Sequence, residues 1–170
     1  MEERSMQGQG ASCFHVTRMN ADEISEAAAL EREAFPDPWS EAMLCSGFAA
    51  DSQTYFGVRE QNGRLVGYAA VMTVLDEGEL LRICVAPRFR RRGVAAMLME
   101  RIFRTAAERK LAFMLLEVRK GNLPAIRLYE KYGFSPEGIR KNYYQNPMED
   151  ALIMRKLCVS GEKIPLYFSE

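Results

Sequence analysis

The sequence predicts a single mixed α/β domain, and three observations predict it. Short apolar stretches of strand length alternate with alanine- and leucine-rich stretches at helical spacing. Proline, glycine and asparagine punctuate the changes from one to the other. The 170 residues suit one compact core, with no repeat or linker to mark a second.

The elements follow in order. CFHVTRM, residues 13–19, reads as the first strand. NADEISEAAALEREAF then reads as a helix with Asn20 or Asp22 as its N-cap. Pro36 and Pro38 break it, and Ser40 caps a second, short helix. TYFGVRE, the turn QNGR and LVGYAAVMTV form a hairpin, with Asn62-Gly63 supplying the positive φ values of the turn. GELLRICVA is a further strand, stopped by Pro87. From Gly93 to Lys110, Val94, Met97, Leu98, Ile102 and Ala106 recur at helical spacing.

LAFMLLEV is the nearly continuous apolar run of a centrally buried strand. NLPAIRLYEKYGF is a helix opened by Asn122 and closed by Gly133. FSPEGIRKNYY and EDALIMRKL complete the sheet as a hairpin. The predicted order is β-α-α-β-β-β-α-β-α-β-β. Residues 1–11 read as a flexible tail, 12–157 as the domain and 158–170 as an extension without an assigned role.

Composition narrows the function. Lys plus Arg and Asp plus Glu stand at 23 each, so no global field draws a polyanion to the surface. No apolar run approaches the roughly 20 residues that span a bilayer, and MEERSMQGQGAS lacks the apolar core of a signal peptide. A cytoplasmic protein, with no membrane or direct nucleic-acid contact, is expected. Cys13, Cys45, Cys84 and Cys158 form no CxxC pair, so reduced thiols and no metal are expected.

The most distinctive stretch is RFRRRGVAAML, residues 88–98. It joins a strand to a helix N-terminus, where unpaired N–H groups and the positive end of the macrodipole favour an anion. Gly93 lets the backbone approach a phosphate, and Ala95 and Ala96 keep the first turn low. This is the recipe for a pyrophosphate cradle rimmed by arginines. By itself the stretch is equally a solvated basic turn. Neither GxGxxG nor GxxxxGK[ST] is present, which disfavours Rossmann and P-loop chemistry.

Arg90-Arg91-Arg92-Gly93-Val94-Ala95 resembles the Q/R-x-x-G-x-G/A acetyl-CoA signature of the GCN5-related N-acetyltransferases (GNAT). LLEVRKGNLPAIRLYEKYGF resembles the later strand and helix of that family, with its LYxxxGF close. The resemblance covers roughly residues 13–157. FPDPWSE, LEVRKGN and IRKNYY…EDALIM are similar to the ribosomal-protein alanine N-acetyltransferase branch, apart from Asp37-Pro38 inserted into what is more often FPWSE. The resemblance implies a mostly antiparallel sheet splayed between its fourth and fifth strands, with about four helices. It also implies acetyl-CoA as cosubstrate, no metal, and transfer to the N-terminal amine of a ribosomal protein by a monomer or weak dimer.

Site residues follow from the same resemblance. Ile83, Cys84 and Val85 match the strand whose main chain pairs with pantetheine. Arg90, Arg91, Arg92, Gly93, Val94, Ala95 and Ala96 match the pyrophosphate turn, and Asn122 matches a cofactor contact beyond its capping role. Glu117 aligns with the general base and Tyr129 with the general acid. Read alone, Glu117 is a strand-end carboxylate paired with Arg119, and Tyr129 is a core tyrosine two turns along the helix from Asn122. On the family reading, burial at the end of an apolar strand would raise the Glu117 pKa.

Phe35, Trp39, Tyr143 and Tyr144 are candidate acceptor-pocket residues, although aromatics in these stretches equally form a lid or core edge. Glu149 and Asp150 either attract a cationic peptide or are simply solvated. His15 has no apparent partner and no assigned role. Three other readings stay open: acetylation of a lysine or small amine, a silent CoA-binding regulator, and a nucleic-acid binder using the arginine run.

Overall fold

A computed structural model describes residues 13–158, so the expected tail and all but the first residue of the expected extension lie outside it. The strands are β1 Phe14–Arg18, β2 Gln53–Glu60, β3 Leu65–Val74, β4 Glu77–Val85, β5 Phe113–Arg119, β6 Ser135–Tyr144 and β7 Glu149–Leu157. The α-helices are α1 Ile24–Ala34, α2 Glu41–Phe48, α3 Val94–Glu108 and α4 Leu123–Lys131. The strands form one seven-stranded sheet in the order β1-β2-β3-β4-β5-β7-β6.

Local chemistry explains the element ends. Asn20 N donates to Glu23 Oε2 at 2.5 Å, closing a short 3-10 turn that leads into α1. Ser40 Oγ accepts from Met43 N and Asn122 Oδ1 from Ala125 N, so α2 and α4 carry side-chain caps. Gly133, at φ +87°, ends α4 as expected. In the β2–β3 turn only Gly63 takes positive φ (+88°) of the expected pair. Asn62 instead accepts from Arg64 N through its side chain, an Asx turn that needs no left-handed backbone at Asn62.

The core lies between the sheet and its two helical layers. Glu31 of α1 meets Tyr68 of β3 on one face. On the other, α3 buries Val94, Leu98, Met99, Ile102 and Ala106 along one stripe. Each fully buried Leu or Ile there contributes about 1.5–3 kcal/mol. A Cβ on Gly67 of β3 would stand 2.7 Å from Val94 Cγ1, so this glycine lets the first turn of α3 press onto the sheet. Every residue from Leu65 to Val71 is buried, which marks β3 as the two-faced central strand. β5 differs from its expected full burial: Met114, Leu116 and Val118 are buried, while Phe113, Leu115, Glu117 and Arg119 are half-buried on the opposite face.

β4 and β5 are the parallel pair in a sheet otherwise built from antiparallel neighbours. Their register runs from Glu77↔Phe113 to Leu80↔Leu116 and stops there. Beyond Leu80, β4 stays paired with β3 through Val85, after a shift in register between Ala70 and Val71 of β3. β5 stays paired with β7 through Arg119. A gap therefore opens between Leu81–Val85 on one side and Glu117–Arg119 on the other.

Candidate active site

One wall of the gap is the turn into α3. Arg91 (φ +62°) and Gly93 (φ +82°) are both left-handed. Gly93 is the N-cap of α3 and offers no side-chain cap, unlike Ser40 and Asn122 in front of α2 and α4. The first intrahelical bond is Met97 N to Gly93 O at 3.0 Å. The amides of Gly93, Val94, Ala95 and Ala96 thus precede the helical ladder, and left-handed turns of this kind form anion-binding concavities. These residues fit a pyrophosphate.

The arginine side chains are partly committed to the protein itself. Arg90 Nε donates to Val85 O at 3.4 Å and its Nη2 to Ala34 O at 3.2 Å, tying the end of α1 to the end of β4. Arg92 stacks over Phe14 at 5.5 Å and Phe89 at 5.1 Å, and Arg88 over Phe89 at 5.3 Å. Cys84 is fully buried, and burial pushes its thiol well up, with Glu31 adding to the shift. Ile83 and Val85 are half-buried on the same strand. What β4 can offer a ligand beyond Leu80 is chiefly its main chain.

Glu117 stands on the other wall. Its side chain is 18% exposed, and Arg140 Nε of β6 reaches across β7 to Oε1 at 2.5 Å. The Tyr143 hydroxyl bonds to the same carboxylate, which holds the phenol's pKa up. Arg119, the partner expected for Glu117, pairs instead with Glu149 at 3.3 Å and stacks over Tyr144 at 4.4 Å. The β6–β7 hairpin supplies both replacements: one carboxylate for Arg119 and one guanidinium for Glu117.

Glu149 also accepts from Gly121 N at 2.5 Å, and Asp150 from Asn142 N and Lys141 Nζ, each at 3.0 Å. These carboxylates brace turns. Tyr143 is 48% exposed and packs edge-on against Tyr144 at 5.1 Å. Burial, then the Glu117 charge, pushes Tyr144 up to about 12.

Tyr129 is buried in α4, with its ring edge-on to Phe134 at 6.0 Å. Burial holds its phenol well above the ordinary range; Tyr144 adds to this and Arg82 opposes it. Tyr132 is buried core instead, donating to Ala96 O at 3.3 Å and stacking on Phe103. Asn122 sits at the mouth of α4, its side chain occupied as the cap.

Phe35 and Trp39 lie between α1 and α2, and here the sequence reading missed the residues that hold them. Glu31 is fully buried and accepts from Trp39 N at 2.9 Å, Tyr68 Oη at 2.7 Å and Arg82 Nε at 2.9 Å. Glu79 was also missed: it shares the face of Glu117, and burial followed by the Glu117 charge raises its carboxyl. A lone arginine in LLRICV was the available signal, because a charge on an apolar strand requires a buried partner. Among the described residues no group of three His, Cys, Asp or Glu side chains could hold a metal, and no helix is long and apolar enough to cross a membrane.

Comparison with known proteins agrees with this geometry. The model of the acetyltransferase (GNAT) family matches residues 22–134. The [ribosomal protein bS18]-alanine N-acetyltransferase of Escherichia coli K12 is 34% identical over 142 residues, covering 82% of this chain and 94% of that one. The crystal structure of the ribosomal-protein-S18-alanine N-acetyltransferase from Escherichia coli superposes with a TM-score of 0.81 at 34% identity, over 92% of this chain and 100% of that chain. The PaiA N-acetyltransferase of Thermoplasma acidophilum, solved in complex with coenzyme A, shares the fold at 14% identity (TM-score 0.72, 85% and 99% coverage). On its sequence, its splayed sheet and these relatives, the chain belongs to the acetyltransferase (GNAT) family, as an acetyl-CoA-dependent N-acetyltransferase.

Proposed function

We propose that this enzyme moves the acetyl group of acetyl-CoA to the α-amine of a protein N-terminus, the alanine of a small-subunit ribosomal protein, in the cytoplasm. The observation that carries the proposal is the position of Glu117. It faces the gap beyond Leu80, within reach of Tyr143 and opposite the stretch of β4 that no longer pairs with β5. The acceptor is suggested by the Escherichia coli relative whose name states it.

Acetyl-CoA supplies a thioester carbonyl and a thiolate leaving group. The amides of Gly93 to Ala96 would take its pyrophosphate, with Arg90, Arg91 and Arg92 as the charged rim. The main chain of Ile83, Cys84 and Val85 would pair with the pantetheine arm, and donors near Val85 would polarise the carbonyl oxygen. An α-amine with a pKa near 8 is about a tenth neutral at pH 7, whereas a lysine near 10.4 is neutral in well under one part in a thousand. A modest base is therefore enough for an N-terminal acceptor. Glu117 takes the amine proton, directly or through water, and Tyr129 returns a proton to the thiolate.

Phe35, Trp39, Tyr143 and Tyr144 would surround the terminal residue. Mass spectrometry of protein N-termini from cells with and without this enzyme tests the proposal. An acetylated ribosomal-protein alanine that becomes free on deletion supports it, and an unchanged terminus removes the substrate.

A further inference from the structure

Arg82 sits in an apolar stretch of β4, between Leu81 and Ile83. Its Nε and Nη2 both bind the Glu31 carboxylate, and Nη2 also donates to Asp37 O at 3.3 Å. The guanidinium lies 4.0 Å from the Phe35 ring centroid and 5.0 Å from that of Trp39. Glu31 receives the Trp39 amide and the Tyr68 hydroxyl as well. One planar group and one buried carboxylate thus hold two aromatic faces, one carbonyl and one amide of the segment linking α1 to α2.

We infer that Arg82, clamped by Glu31, is a positioning residue that sets the Phe35–Trp39 loop against the open end of β4 and so governs which N-terminal residue fits. This rests on reading that loop as the acceptor side. A well-packed apolar pair commonly stabilises a fold as well as a buried ion pair does, so stability alone does not require this arrangement. What the guanidinium adds is direction: a rigid fork for the carboxylate and flat faces for two rings. Its charge also weakly opposes the upward shifts that burial imposes on Tyr129 and Tyr144.

Trp39 is the single tryptophan of the chain, so its emission reports the loop directly. Two variants separate positioning from folding. Arg82→Lys keeps the charge and loses the fork, and Glu31→Gln with Arg82→Met removes the pair without leaving an orphan charge. In variants that keep wild-type circular dichroism, acrylamide quenching of Trp39 rises, and KM for an alanine-starting peptide rises about tenfold. KM for acetyl-CoA stays within about twofold, because the cradle residues are untouched.

An unchanged peptide KM in either folded variant overturns the inference, as does failure of both variants to fold. If the wild-type enzyme acetylates no peptide N-terminus, the functional reading fails. Quenching then decides by itself whether Arg82 holds the loop, and unchanged quenching overturns it.

Discussion

Arg140 Nε and Glu117 Oε1 lie 2.5 Å apart, across the intervening strand β7. The carboxylate at the gap is therefore gripped from one side by a guanidinium of β6 and from another by the hydroxyl of Tyr143. The last hairpin fixes where Glu117 points, so the proposed base on β5 depends on residues more than twenty positions downstream.

Glu117→Gln keeps the size of the side chain and removes the proposed base. Turnover of an alanine-starting peptide is expected to fall about 10²–10⁴-fold, with thermal unfolding little changed. Steady-state acetylation assays check this, and wild-type turnover would exclude Glu117 as the base.

Tyr129→Phe retains the ring contact with Phe134 and deletes only the hydroxyl. A fall in turnover of about 10²-fold is expected, with KM for both substrates nearly constant. A change in melting temperature without a change in turnover would make Tyr129 a core residue and nothing more.

Gly93→Ala forces an L side chain into a backbone at φ +82°, which costs about 1–2 kcal/mol. KM for acetyl-CoA is expected to rise about tenfold while the peptide KM stays constant. Arg90→Ala is expected to act differently. It loses bonds to Val85 and Ala34 carbonyls, so thermal unfolding registers a loss of about 0.5–1.5 kcal/mol per bond.

Stability is expected to decline in alkali. Burial raises the Cys84, Tyr68 and Tyr129 pKa values, so the folded chain keeps protons that the unfolded chain releases. With ordinary thiols near 8.5 and phenols near 10, this contribution is whole below about pH 8 and is lost progressively above it. Urea midpoints measured at neutral pH and near pH 10 check the sign, and a midpoint that held or rose would contradict it.

Most of the fold was legible in the sequence because its signals are local. Pro36 and Pro38, Ser40, Asn122 and Gly133 each mark an element end within a few residues. The strand order around β4 and β5 came from resemblance, since periodicity does not encode which strands pair. At the site, Glu117 and Tyr143 were legible singly, but their contact was not. Glu31 and Arg82 were passed over because they meet across 51 residues, and LEREAF reads as an ordinary helix face. Arg119 and Glu117 share a strand face, so their pairing was a reasonable local expectation; the hairpin from β6 to β7 reassigns both.

The most direct test compares two synthetic peptides incubated with this enzyme and acetyl-CoA, and mass spectrometry locates the acetyl group. One begins with a free alanine, and the other has that terminus blocked and carries an internal lysine. Acetylation of the free alanine alone is the predicted result. Modification of the lysine in the blocked peptide, with the free alanine untouched, would contradict N-terminal transfer.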